Sequence, residues 1–457
     1  MTARLPSTPP TLLPRSGLAL LTGLIVLVAP VQAGPQIQQW TAPTGARVHY
    51  VESRALPLVD IQIDFSAGSA ADPAGKAGLA GLTRSLLDAG AGDLDEQAIS
   101  DRTADSGAQI GGSADNDRIS LSIRSLSSTD EREAAIELGA TLLGQPTFPP
   151  EVLDRERNRA IAGLREALTK PATLAARSFN QAIYPGHPYG NNTTPESLAA
   201  ITRDDLVAFH RDYFAARHAS VTIVGDVDRA TAEQIAIRLT QALPAGSDLA
   251  PTPEAALPTA QTLRIPHPSA QAHILIGQPG LAREDPDYFP LLVGNYVLGG
   301  GGFVSRLTHE VREKRGFAYS VYSYFSPQRV AGPFQIGLQT RGNQTADALK
   351  VVKETLATFV ADGPTEKELQ AAKDNLINGF GLRLDSNRKI LDYVSMIGFY
   401  GLPPDWLDRY PPAVAAVTRE QIRDAFTRRI RPEHLITVIA GGDGDNVAPA
   451  TAGEPTQ

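Results

Sequence analysis

An internal repeat constrains the fold most strongly, because two stretches of the 457-residue chain match at a constant offset of 216 positions. Thr202–Leu206 (TRDDL) matches Thr418–Ile422 (TREQI) at this offset. The same offset pairs three further positions: His218 with His434, Ile223 with Ile439 and Gly225 with Gly441. Agreement through a helix, a turn and a strand predicts a duplicated domain about as long as the offset.

Hydrophobic patterning predicts that each copy mixes strands and helices, which is an α+β fold. Short runs of alternating apolar and polar residues predict strands, and longer periodic stretches predict helices. The predicted strands are 47–52, 59–65, 118–124, 219–224, 270–277 and 334–340. The predicted helices are 78–87, 133–143, 149–168, 196–214 with Thr202 as an N-cap, one from 288 onward, and 365–383.

Composition shifts along the chain predict its domain boundaries. A segment rich in Pro, Ala and Thr lacks periodicity and therefore predicts a linker between the two copies. The predicted order is an N-terminal domain at 36–243, the linker at 244–262 and a C-terminal domain at 263–445. The residues before Ala42 and after Asp443, including a tail at 446–457, are predicted to be disordered.

The N-terminus has the pattern of a secretory signal peptide at residues 1–33. Arg4 and Arg15 precede an apolar run at Leu18–Val28, and Val31-Gln32-Ala33 places small residues at a cleavage site. The run is short for a membrane anchor. The pattern predicts an exported, periplasmic protein without membrane contact after cleavage near Ala33. The alternative is an uncleaved N-terminus that tethers the protein to the membrane.

The absence of cysteine excludes disulfides, thiolate zinc sites, iron–sulfur clusters and cysteine nucleophiles. The formal net charge of −8 argues against nucleic acid as a partner. Eight histidines remain as candidate metal ligands. The decisive question for function is therefore whether any of them stands where a metal could be held.

Four segments, in order, resemble the pitrilysin/insulinase-type zinc metallopeptidases, the inverted zincins that include the mitochondrial processing peptidase subunits and the respiratory core proteins. They are Asp72–Leu82 (DPAGKAGLAGL), Gly186–Gly190 (GHPYG), Tyr213–Asp226 (YFAARHASVTIVGD) and Leu298–Tyr322 (LGGGGFVSRLTHEVREKRGFAYSVY). The resemblance covers about residues 40–445. It implies two homologous LuxS-like or processing-peptidase-like α+β domains in tandem, which form half of a clamshell.

The resemblance also implies where a zinc site should lie. An inverted zincin needs H-x-x-E-H on a helix, with two histidine ligands, a glutamate general base and a later glutamate ligand. The alignment places these roles on Gly81, Arg84, Ser85 and Gly163. Gly81, Ser85 and Gly163 cannot supply the missing ligands, and the permanent cation of Arg84 repels zinc. We therefore expect no bound metal, no cofactor and no catalytic residue in this chain.

Arg312 and Tyr319 correspond to an arginine and a tyrosine that assist substrate binding in the second domain of the family. The resemblance implies that both residues bind substrate here. A guanidinium can hold a peptide carbonyl, and a phenol can donate to a developing oxyanion. The alternative is a salt bridge at a helix end together with a packed tyrosine.

Other candidate sites have simpler structural explanations. His187 is expected to be a structural histidine in a turn, and His309, Glu310 and Glu313 are expected to form the solvated side of a helix, since H-E-x-x-H is incomplete there. The glycine run Gly299–Gly302 is not followed by the Lys-Ser/Thr of a phosphate-binding loop. The run therefore predicts a turn or a close backbone approach.

These observations predict a non-catalytic, substrate-binding subunit of an exported heteromeric zinc metallopeptidase. Its partner is a homologous chain with an intact H-x-x-E-H, which carries the zinc, and its substrate is a peptide. Two alternatives stay open. The chain is a peptide-binding or scaffold protein without a proteolytic role, or it is a peptidase active through an unrecognised site.

Overall fold

A computed structural model describes residues 34–442, all of which belong to one unit of the chain. The predicted signal peptide at 1–33 and the predicted tail at 446–457 lie outside the described residues. No helix within 34–442 is long and apolar enough to cross a membrane.

The first half of the described chain contains eight strands and eight helices. Its strands are β1 (Gln38–Thr41), β2 (Arg47–Glu52), β3 (Leu58–Phe65), β4 (Gly90–Ala91), β5 (Leu94–Asp95), β6 (Gln109–Ala114), β7 (Ile119–Leu126) and β8 (Ala219–Gly225). Its helices are α1 (Leu79–Ser85), α2 (Glu96–Asp105), α3 (Thr129–Gly144), α4 (Pro150–Ala167), α5 (Pro171–Ile183), α6 (Pro195–Ala199), α7 (Arg203–Tyr213) and α8 (Arg229–Thr240).

The second half contains five strands and six helices among the described residues. Its strands are β9 (Gln261–Ile265), β10 (Gln271–Leu281), β11 (Ala318–Phe325), β12 (Gly332–Arg341) and β13 (Ile436–Gly441). Its helices are α9 (Tyr288–Asn295), α10 (Thr345–Asp362), α11 (Glu366–Asn378), α12 (Asn387–Tyr400), α13 (Trp406–Ala416) and α14 (Arg419–Arg429).

The two large sheets share one strand order, which confirms the predicted pair of homologous α+β domains. The first sheet runs β1-β2-β8-β3-β7-β6, and the second runs β9-β13-β10-β12-β11. The pairs β2–β8 and β9–β13 are parallel, whereas the other pairs are antiparallel. Each predicted strand overlaps an observed one. The second sheet has no counterpart of β1 among the described residues.

Two matched helix caps show how closely the local structure repeats. The Thr202 side chain caps α7 in a capping box with Asp205, and Thr418 caps α14 in the same way with Gln421. The backbone angles of the caps are φ −107° and ψ 166° at Thr202 and φ −107° and ψ 163° at Thr418. The predicted N-cap at Thr202 is therefore confirmed, and its copy lies 216 positions later.

The prediction of disorder before Ala42 is wrong for Gln38–Thr41, which forms β1 along the edge of β2. The ring of Trp40 lies 3.6 Å from the guanidinium carbon of Arg229 and packs edge-on against Tyr50 at 6.4 Å between ring centroids. These contacts order the segment. The sequence pattern missed it because four residues are too few to show a periodicity.

The predicted linker contains no helix or strand over residues 244–260, and β9 begins at Gln261, two residues before the predicted boundary. His187 anchors this segment to the first half, because its Nε2 lies 2.8 Å from the carbonyl oxygen of Pro253. Its Nδ1 accepts a hydrogen bond from the backbone N–H of Tyr189 at 3.1 Å. The prediction of a structural turn histidine at His187 is confirmed.

One helix from each half packs on the sheet of the other half. Helix α5 of the first half covers β10 and β13, and helix α12 of the second half covers β2, β3 and β8. The α5 contact is apolar, because Ala175, Phe179 and Ile183 pack in one buried cluster with residues of β13. These strand residues are Ile436, Val438 and Ala440.

The α12 contact combines a small apolar cluster with a buried polar network. Ser395 of α12 donates a hydrogen bond to Asp64 at 2.6 Å and accepts one from Gln62 at 2.7 Å. Arg118 donates to Ser395 at 2.9 Å and pairs with Asp64 at 3.4 Å. Burial raises the pKa of the Asp64 carboxyl, and Arg118 acts in the opposite direction. The apolar cluster here contains Val51, Val224, Leu391 and Val394.

Candidate functional site

Helix α1, which carries the aligned H-x-x-E-H positions, is held by a carboxylate cap and a buried face. Asp72 accepts hydrogen bonds from the backbone N–H groups of Gly78 at 2.7 Å and Ala80 at 2.8 Å. Gly78 has φ +107°, a conformation that glycine adopts without strain. Leu79 and Leu82 are buried in the core of the first half. The cap and the apolar contacts leave the opposite face of α1 exposed.

Gly81 and Ser85 lie on this exposed face of α1, and Gly163 lies on the exposed face of α4. A Cβ atom added at Gly81 or Gly163 would meet no other atom within 4 Å. A Cβ atom would therefore meet no steric obstacle at either position. What is missing is the donor chemistry, because neither glycine carries a side-chain donor and a serine hydroxyl is no replacement for imidazole.

Arg84, which the sequence alignment assigns to the general-base position, is only 8% exposed. Its Nε donates to the carbonyl oxygen of Ser120 at 3.1 Å, and its guanidinium lies 3.9 Å from the Asp88 carboxylate. Burial lowers the pKa of Arg84, and Asp88 partly offsets that effect. The positively charged Arg84 side chain, hydrogen-bonded to β7, therefore lies at the aligned position where a peptidase needs a proton acceptor.

Ser85 lines a groove of about 600 Å³ between α1, α2 and α4. The acids of this groove are engaged with arginines, since Arg155 pairs with Glu96 at 2.8 Å and with Glu156 at 2.9 Å. Within residues 34–442, no three His, Asp or Glu side chains gather where they could hold a metal ion. The residues at the four aligned positions do not provide a donor set that fits zinc.

Arg312 and Tyr319 lie together in the second half, although seven positions separate them. Arg312 lies on a π-helical turn at Thr308–Glu313, and Tyr319 lies at the start of β11. The register of β11 against β12 shifts between Ala318 and Val321, so the bulge directs Tyr319 outward. The guanidinium carbon of Arg312 lies 4.8 Å from the Tyr319 ring centroid, and Tyr319 is 84% exposed.

Phe303 completes this cluster and was missed by the sequence analysis. Its ring centroid also lies 4.8 Å from the Arg312 guanidinium carbon, and its side chain is 69% exposed. Arg312 is thus flanked by two exposed rings, and no carboxylate among residues 34–442 forms an ion pair with it. The alternative of a salt bridge with a packed tyrosine is wrong. Substrate binding by Arg312 and Tyr319 stays a prediction.

The glycine run provides the close backbone approach that its sequence suggested. A Cβ at Gly299 would lie 2.4 Å from Oγ of Ser323, so only glycine lets this turn lie against β11. Gly302 has φ +61° and directly precedes Phe303. The sequence signal that could have identified Phe303 is an aromatic residue directly after a run of four glycines.

The incomplete H-E-x-x-H is a solvated helical face, as predicted. Nδ1 of His309 lies 2.8 Å from Oε2 of Glu313, and Glu310 pairs with Lys314 at 2.7 Å and Arg315 at 2.8 Å. These exposed contacts leave no ligand set for a metal at this turn.

Comparisons with known proteins agree with this geometry. The family model described as the peptidase M16 inactive domain matches residues 200–376. A crystal structure of a peptidase M16 inactive domain from Pseudomonas fluorescens is 38% identical, with a TM-score of 0.86, over 89% of this chain and 97% of that chain. The periplasmic protease PqqL from Escherichia coli shares the fold, with 18% identity and a TM-score of 0.75, over 89% of this chain and 45% of that chain.

The curated relatives bear both peptidase and non-peptidase names. An uncharacterized zinc protease of Streptomyces coelicolor is 28% identical over 63% of this chain, and the match covers 65% of that protein, less than two thirds. The non-peptidase homolog YmxG of Helicobacter pylori is 24% identical over 89% of this chain and 94% of its own length.

A third relative is the mitochondrial-processing peptidase subunit beta of Blastocladiella emersonii, which is 23% identical over 89% of both chains. The family-model match over residues 200–376 does not include Gly81, Arg84, Ser85 and Gly163, so the assignment of zinc-site roles to these four positions stays a prediction. The chain belongs to the peptidase M16 family, the pitrilysin/insulinase type, as a non-catalytic member.

Proposed function

We propose that the chain is the substrate-binding, non-catalytic subunit of an exported heteromeric zinc metallopeptidase. Its partner would be a homologous chain with an intact H-x-x-E-H, and the two would enclose a peptide between them. The observation that carries the proposal is the half-buried Arg312 guanidinium, flanked by the exposed rings of Phe303 and Tyr319, in a chain without zinc donors at the four aligned positions of its first half.

The geometry of this cluster suits the binding of a peptide backbone. Flanking rings hold the plane of the Arg312 guanidinium by cation–π attraction, so less rotational freedom is lost when it binds a carbonyl. The Tyr319 hydroxyl is exposed and can donate to an oxygen that gains negative charge. The partner's zinc would supply the activated water, which this chain cannot do.

Two further features support assembly and export. The Blastocladiella relative is named as a subunit of a processing peptidase, which favours a partner for this chain as well. Residues 1–33 carry the signal-peptide pattern, which favours export to the periplasm. An uncleaved, membrane-tethered N-terminus is the alternative for this segment.

A reconstituted mixture of this chain with an H-x-x-E-H partner tests the proposal. Arg312→Ala and Tyr319→Phe should each lower kcat/KM of the mixture for a peptide by about 10²-fold, because each removes a hydrogen-bond donor from the transition state. Arg409→Ala and Tyr213→Phe serve as matched controls, since Arg409 pairs only locally with Asp405 and Tyr213 stacks on Phe209.

Each outcome of this experiment decides between the candidate functions. Unchanged rates for both variants would overturn the composite site. A mixture no faster than the partner alone would favour a scaffold or peptide-binding protein without a proteolytic role. EDTA-sensitive cleavage by the isolated chain, with stoichiometric zinc, would show a peptidase with an unrecognised site.

A further inference from the structure

Helix α8 of the first half has no counterpart among the described residues of the second half. It follows β8 and packs on α3, β2 and β8. The offset of 216 positions pairs these three elements with α10, β9 and β13. Strand β13 ends at Gly441, and no helix follows it within residues 34–442. A sheet face that a helix covers in the first half is therefore left open in the second.

A groove of about 720 Å³ lies at this place in the second half. It is bounded by α10, by the end of α14 and the residues after it, and by the first residues of β9 and β13. Apolar side chains make up most of its walls, and the largest are Leu356, Val360, Ile430 and Leu435. An open groove with apolar walls indicates a binding surface.

The groove is separate from the residues that are proposed above to bind substrate. Side chains of β13 alternate between the two faces of the sheet, so Ile436 and Val438 pack with α5, whereas Thr437 lines the groove. Strand β9 forms one edge of the second sheet, and β11 forms the other edge, which carries Tyr319. The groove therefore lies on the face opposite α5 and beside the edge opposite β11.

The first half shows which kind of element covers such a face. The hydroxyl oxygens of Thr44 and Thr240 of α8 lie 2.7 Å apart. A Cβ atom added at Gly144 would lie only 2.9 Å from the Cβ of Ala242, just after α8. The buried stripe of α8 combines small and aliphatic residues, namely Ala232, Ile235, Ala236, Leu239 and Thr240. An amphipathic helix thus covers this face in the first half.

Residues of that contact correspond to residues of the open groove. At the offset of 216, Thr44 matches Ala260 and Gly144 matches Val360, and both matched residues line the groove. Val360 is larger than Gly144, so small side chains of an occupant would pack best against it. The groove is therefore suited to a helix with a stripe of small and aliphatic residues.

The sequence after β13 is not that of a second α8. Positions 445–456 match the α8 positions 229–240 at the same offset, and they include Pro449 and Pro455. Proline disfavours the interior of a helix, because it lacks the backbone N–H and clashes with the preceding turn. A helix that occupies the groove is therefore expected to come from another chain.

Lys353 adds a positive charge to the groove. It is exposed on α10 and is the only charged residue among the described residues that line the groove. The neighbouring Glu354 pairs with Lys350 at 4.0 Å, and no carboxylate within residues 34–442 forms an ion pair with Lys353. A helix with a carboxylate beside its apolar stripe would therefore be complementary in charge.

We infer that this groove docks an amphipathic helix of a different protein, with small and aliphatic side chains against α10 and β9 and a carboxylate against Lys353. The helix takes the place in the second half that α8 takes in the first. Recognition of this kind depends on anchor residues three or four positions apart on the helix, which is the spacing of the α8 stripe.

Binding of a helical peptide to the full chain tests the inference. The probe is a capped, fluorescent peptide with the sequence of residues 228–243 and the substitution Arg238→Glu. Position 238 is chosen because Arg238 pairs with Glu133 of α3 in the first half, so this position faces the helix that corresponds to α10. A scrambled peptide of the same composition lacks the stripe and is the control.

Fluorescence anisotropy measures the dissociation constants of the two peptides. We expect the probe to bind with a dissociation constant of about 100 μM or tighter, and the scrambled peptide to bind at least about tenfold more weakly. Equal affinities of the two peptides, or no binding of the probe, would overturn the inference.

Variants of the chain locate the bound peptide. Ala357 is exposed on α10 and lines the groove, so Ala357→Glu should weaken probe binding at least about tenfold. Ala371→Glu is the matched control, since Ala371 is exposed on α11 and lies outside the groove lining. Lys353→Glu should weaken binding about threefold, because it reverses one exposed charge. An unchanged affinity of the Ala357→Glu chain would place the peptide elsewhere and overturn the inference.

Two further measurements decide between possible occupants. Removal of residues 443–457 should leave the affinity for the probe unchanged, and a tenfold gain would show instead that this segment occupies the groove. Sedimentation should find no dimer that Ala357→Glu disrupts, since such a dimer would identify a second copy of the chain as the occupant. Either contrary result would overturn the inference. No peptidase partner is present, so the test of Arg312 and Tyr319 is independent of these results.

Discussion

Helices α5 and α12 are equivalent in the two halves. Their first residues lie 216 positions apart, and each helix packs on the sheet of the other half. Phe179 and Ile183 of α5 meet apolar strand residues, whereas Ser395 of α12 meets Asp64 and Gln62. The same framework thus accommodates an apolar contact and one that adds a buried polar network to apolar packing. The backbone framework is repeated, but the chemistry of the contact between halves is not.

The edges of the two sheets differ in a similar way. Strand β6 ends the first sheet and β11 ends the second at the equivalent place. β6 reads QIGGSA and carries no aromatic residue, whereas β11 carries Tyr319, Tyr322 and Tyr324. Beside β6, the residues at the zinc positions lack donors; beside β11, Arg312 and three exposed tyrosines remain available. The exposed aromatic side chains and the arginine are therefore found at the edge of the second sheet.

The largest effect is expected from introducing zinc ligands and a general base at the four aligned positions of the first half. The variant G81H/R84E/S85H/G163E has three zinc ligands and a base at the aligned positions, and Cβ atoms at Gly81 and Gly163 meet open space. We expect it to bind about one zinc per chain, as measured by metal analysis after dialysis. The matched control is G81H/R84E/G163E, which keeps Ser85 and therefore lacks one of the three ligands. A folded quadruple variant without zinc would refute the alignment of these positions.

Truncating the apolar anchor should cost more stability than truncating the polar one. Phe179→Ala empties a site that is 2% exposed and should lower the free energy of unfolding by about 3–5 kcal/mol. Ser395→Ala removes hydrogen bonds to Asp64 and Gln62 and should cost about 1–3 kcal/mol. Urea unfolding of both variants measures the difference. A larger cost for Ser395→Ala would reverse the ranking of the two contacts.

The contact between α12 and the first sheet should also respond to pH, because the ring of His49 on β2 lies against Gly398 of α12. Burial, assisted by Arg47, lowers the pKa of His49 to about 4 from its ordinary value of 6.5. The unfolded chain therefore binds this proton more readily, so the stabilisation is present above pH 6.5 and is lost as the pH falls toward 4. Between pH 7 and pH 5, His49 should account for a loss of about 2 kcal/mol in unfolding free energy.

His49→Gln removes this titration while keeping a polar side chain under α12. Its unfolding free energy should fall less between pH 7 and pH 5 than that of the unaltered protein. His210, whose pKa is also lowered by burial, is retained in both proteins and cancels in the comparison. Identical pH dependence of the two proteins would show that His49 does not titrate in this range.

Substitutions in the two capping boxes should have the smallest effects on stability. The costs in the two halves should also be nearly equal. Thr202→Ala and Thr418→Ala each remove one N-cap hydrogen bond, so each should cost about 1 kcal/mol. Thermal unfolding of both variants checks this equality. The Thr202 hydroxyl also donates to Oδ2 of Asp205 at 2.7 Å, so a larger cost at Thr202 would identify the contribution of that additional hydrogen bond.

Local patterns predicted much of the fold. The strands at β2, β3, β7, β8, β10 and β12 and the Thr202 cap follow from periodicity and capping, which act over a few residues. The crossing of α5 and α12 did not follow, because each packs on strands far away in the chain. The pairing of β1 was missed for a similar reason, since Trp40 is ordered by Arg229.

The sequence by itself determined that the aligned zinc centre lacks its ligands, because residue type alone decides whether Gly81, Arg84, Ser85 and Gly163 can donate to a metal. Only the tertiary structure brought Phe303 to Arg312 and formed the groove between α10 and β9. Those features depend on a bulge, a glycine turn and the packing of a helix beside a sheet edge, which join positions through packing and strand register rather than through a local pattern.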